Sequence, residues 1–294
     1  MTVERIDRNP VSWILWAGTA DFFGDLETRV EVAADGPYEW VSLSALDLAT
    51  ESERGLSPAQ VGDRIRTAGL RIIFDPLMGW HPTLVPPVSP FAAIGLEDSL
   101  RGAAEVGAEL VSVVPNPHSA LDQTGMAAAF RDVGDRVAAF GAEAQLEFMP
   151  WSSVPDLRTG WDIVEQADRA NGGLLIDAWH FFRSDPDFEL LASIDGDRVL
   201  SVQLDDGALL DTPGTRNESM DRALPAEGEF DLDRFLRTLD PIGALRRIGA
   251  EVITPVHRAM PVAEAAARSH RSVLAAMASA GLTTGSQRHP LDSR

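Results

Sequence analysis

The chain has 294 residues, a formal net charge of −20 and no cysteine, and all 25 of its basic residues are arginine. The length suits one large α/β barrel or two modest domains. The absence of cysteine excludes disulfides, thiolate catalysis and cysteine-bound zinc. The absence of lysine excludes a lysine Schiff base, a lysine general base and a P-loop.

The charge and hydropathy pattern also limits the possible partners. So acidic a chain is expected to be repelled by nucleic acid phosphates. No apolar run approaches the roughly 20 residues of a membrane-spanning helix, and the opening MTVERIDRNP lacks the apolar core of a secretory signal. We therefore expect a cytoplasmic protein that binds a small molecule rather than a membrane or a nucleic acid.

Short apolar runs alternate with longer amphipathic stretches along the chain. Continuous apolar runs of this length are typical of strands buried on both faces of a parallel sheet. Eight runs follow this pattern: VSWILWAG from Val11, WVSLSAL from Trp40, LRIIFDP from Leu70, LVSVVPN from Leu110, AQLEFMPW from Ala144, LLIDAWHF from Leu174, VLSVQLDD from Val199 and AEVITPVH from Ala250.

The stretches between these runs predict helices. Ser57 and Pro58 form a typical helix start, with an N-cap serine and a proline in the first turn, and Gly69 is expected to end that helix. Further helices are predicted over Ala127–Phe140, Asp156–Ala167, Asp231–Leu239 and Val262–Ala280.

Eight β/α repeats without a break in composition predict a single (β/α)₈ barrel of the α/β class over residues 1–282, followed by a flexible polar tail over 283–294. A doubly wound open sheet is the alternative, although no G-x-G-x-x-G motif follows any strand. Two long loops, Met78–Pro90 and Asp205–Gly228, follow the third and seventh strands. Barrel enzymes place their active sites at this end of the strands, so both loops are expected to border a site.

Each of the last four predicted strands carries one polar residue in apolar surroundings. A buried carboxylate costs several kcal/mol unless it is paired or binds a metal. Since no lysine exists and no arginine lies inside these strands, a divalent cation is the simplest compensating charge. An all-oxygen ligand set favours Mn²⁺ or Mg²⁺ over Zn²⁺ or Co²⁺. The four candidate ligands are Glu147, Asp177, Gln203 and Glu251.

Other candidate site residues lie close to the predicted strand ends. His180 follows Asp177 by three residues and could donate to a substrate oxygen or act as a further ligand. Four tryptophans could offer flat faces to a sugar ring or carbocycle, or could simply pack in the core. These are Trp16, Trp80, Trp151 and Trp179.

The runs LEFMPW, LLIDAWHF with its D-x-x-H, SVQLDD and RALPAEGEFDL resemble the sugar-phosphate isomerase/epimerase family of the xylose-isomerase-like barrel superfamily. The resemblance is strongest from Leu146 to Leu232. It implies one divalent metal, substrate contacts from His180 and Arg222, and a possible homo-oligomer. The metal ligands that it implies are Glu147, Asp177, Gln203 and Glu251.

The chain departs from the family pattern in two places. Gln203 stands where the sugar epimerases usually have histidine, and dehydratases of the superfamily that act on dehydroshikimate resemble this Glu-Asp-Gln-Glu set. Ala226 replaces the usual glycine of a P-G-E-G turn. In addition, the short motif IGAEVIT allows a second alignment register for Glu251.

The predicted function is that of a metal-dependent isomerase or epimerase acting on a hydroxy ketone, either a sugar or a cyclic polyol. The metal would stabilise an enolate, with Glu147 and Glu251 as base and acid. Loss of a β-hydroxyl group instead would make the protein a dehydratase of the dehydroshikimate or keto-inositol type. Only Arg183, Arg216 and Arg222 are placed to bind a phosphate, so an unphosphorylated substrate is favoured.

Two alternatives belong to other classes. Endonucleases that cut at abasic sites share the barrel, but they need a histidine cluster and a positive surface that this chain does not offer. A non-catalytic barrel that serves as a binding subunit is compatible with glutamine at position 203, whereas the intact D-x-x-H pattern argues against it.

Overall fold

The computed structural model describes residues 11–20, 24–85 and 89–283. Eight parallel strands close into a barrel in which each strand pairs with the next and the last pairs with the first. This confirms the predicted barrel and excludes an open sheet. The predicted tail, apart from Thr283, lies outside the described residues. The strands are β1 Ser12–Leu15, β2 Trp40–Leu43, β3 Arg71–Leu77, β4 Leu110–Val113, β5 Glu143–Glu147, β6 Gly172–Asp177, β7 Val199–Leu204 and β8 Arg247–Ala250.

Helices follow the strands and begin at the capping residues that the sequence provides. Ser57 and Gln60 form a capping box at the start of α3, and Gly69 follows that helix at φ +83°, as predicted. In the described part of the chain, no helix combines the length and hydrophobicity needed to cross a bilayer. The α-helices are α1 Leu26–Asp35, α2 Ala45–Glu53, α3 Pro58–Thr67, α4 Leu96–Val106, α5 Gln123–Ala138, α6 Leu157–Ala167, α7 Ala178–Phe182, α8 Phe188–Ser193, α9 Leu232–Leu239, α10 Pro255–Arg258 and α11 Val262–Ser279.

The barrel interior is filled in layers, because alternate residues of each strand point inwards. One buried cluster is apolar and comprises Ile14, Trp16, Trp40, Ile73, Leu110, Leu175 and Leu200. Polar side chains lie nearer the carboxyl ends of the strands. The larger apolar core lies between the strands and the surrounding helices. The fold therefore places the candidate ligands at the carboxyl ends of the strands, whereas Arg71 and Arg247 lie over Trp40 at the opposite end.

The eighth strand lies earlier in the chain than its apolar run predicted. Glu251 directly follows β8, and its N–H donates to Leu204 O at 3.1 Å, so the strand pairing continues for one more bond. The next N–H, that of Val252, donates to Thr19 Oγ1 at 3.0 Å instead of to a strand. Within β8 the chain needs a glycine, because a Cβ at Gly249 would lie 2.2 Å from Ile14 O.

Candidate active site

The structure brings the four predicted metal ligands to the same end of the barrel. Glu147 and Asp177 are the last residues of β5 and β6, Gln203 pairs with Asp177 across β6 and β7, and Glu251 follows β8. All four side chains are buried. Adjacent parallel strands end at the same edge of the barrel, so their terminal polar residues converge there.

His180 joins this group through the local fold of the D-x-x-H segment. The carboxylate of Asp177 caps α7 and accepts the His180 N–H at 2.9 Å, which turns the imidazole back over the strand ends. His180 Nε2 then lies 3.3 Å from Glu147 Oε1. Ligand atoms of Glu147, Asp177 and His180 all lie within 4.8 Å of one another.

Gln203 supplies a further indication that these residues fit a metal ion. Its Oε1 atom is buried, and no hydrogen-bond partner for it exists among the described residues. Buried polar atoms are rarely left without a partner. An amide oxygen on the strand partner of Asp177 is a suitable donor for a hard divalent cation.

Arg222 brings positive charge into the same cluster, which corrects one step of the sequence argument. Its Nη1 lies 2.7 Å from Asp177 Oδ2, 2.5 Å from Asp205 Oδ2 and 3.3 Å from Glu251 Oε2. This arginine belongs to the long loop after β7, so its absence from the strands did not keep it out of the site. A single guanidinium nevertheless faces three carboxylates, so it does not balance their charge alone.

The carboxyl groups of the cluster differ in pKa because burial and neighbouring charges act on them differently. Burial and the neighbouring Asp177 raise the pKa of Asp205 well above its usual range, and burial likewise raises that of Glu251. Burial also acts to raise the pKa of Asp177, but Arg222 and His180 outweigh it and the pKa falls. Asp177 is therefore the carboxylate that Arg222 keeps ionised.

A cavity of about 270 Å³ opens above the cluster. This volume is close to the lower end of the range typical of small-molecule sites, about 300–1,000 Å³. Glu147, His180, Arg222 and Glu251 line it, and Met78, Val114 and Met149 form an apolar wall. The space therefore combines a charged floor with an apolar side, as expected for a small polar metabolite.

The four tryptophans occupy different places. Trp151 lines the cavity, with its ring 5.1 Å from that of His180. The other three are buried and, within the described ranges, are not part of the cavity lining. Trp16 packs inside the barrel, Trp80 Nε1 donates to Val114 O at 2.9 Å, and the ring of Trp179 lies 5.7 Å from that of His180.

The arginines considered for anion binding also differ. Arg183 is buried and donates to Ala208 O and Thr212 O, so it holds the loop after β7. Arg216 is exposed and lines the cavity. Arg258, which the sequence argument did not single out, is also exposed and lines the cavity.

Two acidic residues of the site were missed by the sequence argument. Asp205 follows β7 directly and pairs with Arg222. Asp75 lies in β3 and lines the cavity, and burial together with Glu147 raises its pKa to about 8. Asp75 carried the same signal as the four chosen residues, namely one polar residue inside an apolar run.

The chain belongs to the xylose isomerase-like TIM barrel family, whose model matches residues 30–276. A 3-dehydroshikimate dehydratase from Pseudomonas putida is 26% identical over 269 residues, which are 87% of this chain and 40% of that protein. A second, from Pseudomonas aeruginosa, is 31% identical over 175 residues, 58% of this chain and 27% of that protein. An inosose isomerase from Bacillus subtilis is 29% identical over 136 residues, 46% of this chain and 48% of that protein. The chain thus spans less than half the length of these curated relatives.

Solved structures share the fold. The IOLI protein with a binding zinc atom has a TM-score of 0.79 at 18% identity, covering 92% of this chain and 99% of that one. An L-ribulose 3-epimerase has a TM-score of 0.65 at 15% identity, covering 96% of this chain and 100% of that one. At such low identity the likeness establishes the barrel architecture.

Proposed function

We propose that this member of the xylose isomerase-like barrel family is a divalent-metal-dependent isomerase or epimerase of a small hydroxy ketone. The observation that carries the proposal is the buried group of Glu147, Asp177 and His180, whose ligand atoms lie within 4.8 Å of one another, at the same end of the barrel as Glu251 and the unpartnered Gln203 Oε1 atom. The named activities of the curated relatives, isomerisation of an inosose and dehydration of 3-dehydroshikimate, support it.

The side chains at the cavity floor have distinct tasks in such a reaction. Bound Mn²⁺ or Mg²⁺ would be held by Glu147, Asp177, Gln203 and Glu251, and would supply Lewis acidity toward a carbonyl oxygen. Glu147 and Glu251 follow different strands and both line the cavity, so one can take a proton from carbon and the other can return one. His180 and Arg222 hold substrate oxygens. Trp151 offers its face to the carbon skeleton.

A specific observation favours dehydration as a second candidate. Arg216 and Arg258 line the cavity, and neither forms an ion pair with another described residue. Free guanidinium groups suit a substrate with a carboxylate, and the 3-dehydroshikimate dehydratases are relatives that act on such an acid. A β-hydroxyl group next to the abstracted proton would then leave as water.

Thermal melting tests the metal site first. The wild-type protein, stripped with EDTA, should melt at a higher temperature when Mn²⁺ or Mg²⁺ is added, because a ligand that binds only the folded state stabilises it by about 2.7 kcal/mol at 100 times its Kd. Glu147→Gln should lose this response. The exposed variant Glu105→Gln, which lies on α4, is the control and should keep it.

Proton exchange tests the reaction. The Mn²⁺-loaded protein is incubated in D₂O with ketoses, an inosose and 3-dehydroshikimate, and followed by NMR and mass spectrometry. Deuterium at the carbon beside the carbonyl group supports isomerisation or epimerisation, whereas loss of water from 3-dehydroshikimate supports the second candidate. If no compound exchanges or loses water while the metal response is intact, both proposals are wrong.

A further inference from the structure

A series of buried hydrogen bonds crosses the barrel interior beneath the candidate active site. The Ser201 hydroxyl donates to Gln145 Oε1 at 2.6 Å, and Gln145 Nε2 donates to Ser112 Oγ at 2.9 Å. Ser112 follows Val111, the β4 partner of Phe74, so it lies beside Asp75, and its side chain acts to lower the pKa of that carboxyl group. Asp75 is only 4% exposed and the other three residues are fully buried, so protein groups satisfy one another along the series.

The chemistry of the groups fixes the direction of donation. An amide NH₂ only donates and an amide oxygen only accepts. Because Ser112 Oγ already accepts from Gln145, its own proton remains for Asp75. Each side chain in the series therefore orients the next one, and the series ends at the carboxyl group of Asp75.

The strand geometry places this series directly under the proposed metal ligands. Residues two apart on a strand face the same side, so Gln145 lies one layer beneath Glu147, and Ser201 lies one layer beneath Gln203. Ser112 is the direct partner of Gln145 across β4 and β5. The series thus connects the layer below the site with the cavity wall on the β3 side.

Asp75 is an unusual residue at the end of such a series. It lines the cavity from β3, while Arg222 reaches the site from the loop after β7 on the other side of the barrel. Within the described ranges, no ion pair joins Asp75 to an arginine. The charge of Arg29 acts on it without forming an ion pair, and a buried carboxyl group without a direct cationic partner is unfavourable when ionised, so a bound hydroxyl group would satisfy it.

We propose that Asp75 is a substrate-binding residue that hydrogen-bonds a hydroxyl group of the substrate on the β3 side of the cavity. Ser112, Gln145 and Ser201 are positioning residues that orient its carboxyl group. The inference rests on the proposed function, since it takes the substrate to be a hydroxy ketone. It adds a recognition point across the cavity from His180 and Arg222, which favours substrates with several hydroxyl groups.

Equilibrium binding to the Mn²⁺-loaded full chain tests the role of Asp75. The probes are 3-dehydroshikimate and an inosose, measured by isothermal titration calorimetry. Asp75→Ala should weaken binding of the tighter probe by about 10-fold, as expected when one buried hydrogen bond is lost. Asp75→Asn keeps a weaker hydrogen bond and should fall between wild type and Asp75→Ala. Both variants should bind Mn²⁺ as the wild type does.

A matched pair of serine variants tests the positioning series. Ser112→Ala removes the hydroxyl that holds Asp75 and should weaken probe binding by about 3- to 10-fold, while Ser112→Thr keeps a hydroxyl and should restore it. Ser42→Ala is the control: Ser42 is equally buried in the neighbouring β2, but its hydroxyl oxygen accepts from Ala17 N. A loss of stability alone would affect both alanine variants and leave their probe affinities equal.

The outcomes separate this inference from the proposed function. Equal probe affinities in wild type, Asp75→Asn and Asp75→Ala overturn the inference and leave the proposed function standing. Binding that depends on Asp75, without deuterium exchange or water loss in any compound, supports the inference and overturns the proposed function. If neither probe binds the Mn²⁺-loaded wild type at millimolar concentration, both are overturned. Asp75→Asn, nearly identical in shape to the wild type, keeps the test open if Asp75→Ala does not fold.

Discussion

Two buried arginines of this barrel are surrounded in opposite ways. Arg29, on α1, donates to Ser42 O at 3.0 Å and forms an ion pair with Asp47 at 3.2 Å, between the strands and the outer helices. Arg222, above the strand ends, faces three carboxylates, whereas among the described residues Arg29 forms an ion pair with Asp47. The first arrangement is an ordinary balanced pair that ties α1 to β2 and α2. The second crowds three buried carboxyl groups against one guanidinium, which costs stability and is therefore expected where chemistry uses it.

The largest expected effect is a loss of activity that follows substitution beside Arg222 but not substitution beside Arg29. Asp177→Asn removes a proposed metal ligand and should lower kcat/KM by at least ~10²-fold, since even residues that only support metal ligands are worth 10- to 100-fold. Asp47→Asn breaks the structural pair at Arg29 and should cost about 3–5 kcal/mol of stability, with kcat/KM of the folded protein unchanged. Steady-state kinetics and urea unfolding measure the two quantities. A fall in kcat/KM of similar size in both variants would show that Asp177 is also only structural.

The second prediction concerns the arginines themselves. Arg29→Met and Arg222→Met should both destabilise the metal-free protein by about 3–5 kcal/mol, because each leaves buried carboxylates without their partner. Added Mn²⁺ should stabilise Arg29→Met by the same amount as the wild type and Arg222→Met by more, since only there does the cation also meet the freed carboxylates. Urea unfolding with and without Mn²⁺ provides the comparison. Equal stabilisation of the two variants by Mn²⁺, or none in either, would remove the distinction between the two sites.

The same contrast explains which parts of the molecule the sequence could predict. The barrel follows from local information, because continuous apolar runs mark buried strands and residues such as Ser57 and Gly69 mark helix ends. Glu147 and Asp177 stood out because a single acid in an apolar strand needs compensation. The resemblance placed Arg222 at the substrate, but its ion pairs with Asp177, Asp205 and Glu251 depend on the path of the long loop after β7, which no local pattern encodes. The tryptophans were ambiguous for a related reason: an aromatic ring near a strand end can face the cavity, as in Trp151, or the core, as in Trp80.

A third prediction tests how closely the barrel is packed beneath the site. At Gly249 an added Cβ would clash with Ile14 O, so Gly249→Ala should cost about 1–3 kcal/mol by forcing β1 and β8 apart. Gly141, at φ +82° and with open space around it, is the comparison position, where Ala introduces backbone strain but no clash. If β8 carries Glu251 into the site, only Gly249→Ala should also weaken Mn²⁺ binding. Mn²⁺ titrations of both variants check this, and unchanged affinity in Gly249→Ala would mean that Glu251 tolerates movement of its strand.

The smallest expected effect comes from His270, an ionisable group that is half-buried and has no ion pair among the described residues, unlike the two arginines. His270 packs edge-on against Trp13, with ring centres 4.5 Å apart, and burial lowers its pKa. The unfolded chain binds the proton more readily, so the stability that neutral His270 contributes is present above the unfolded-state pKa of about 6.5 and is lost as pH falls below it.

His270→Phe should therefore lose less stability than the wild type between pH 7 and 5, while the exposed control His118→Asn should follow the wild type. Urea unfolding across this range measures the difference, and parallel curves for wild type and His270→Phe would mean that His270 already has a partner when protonated.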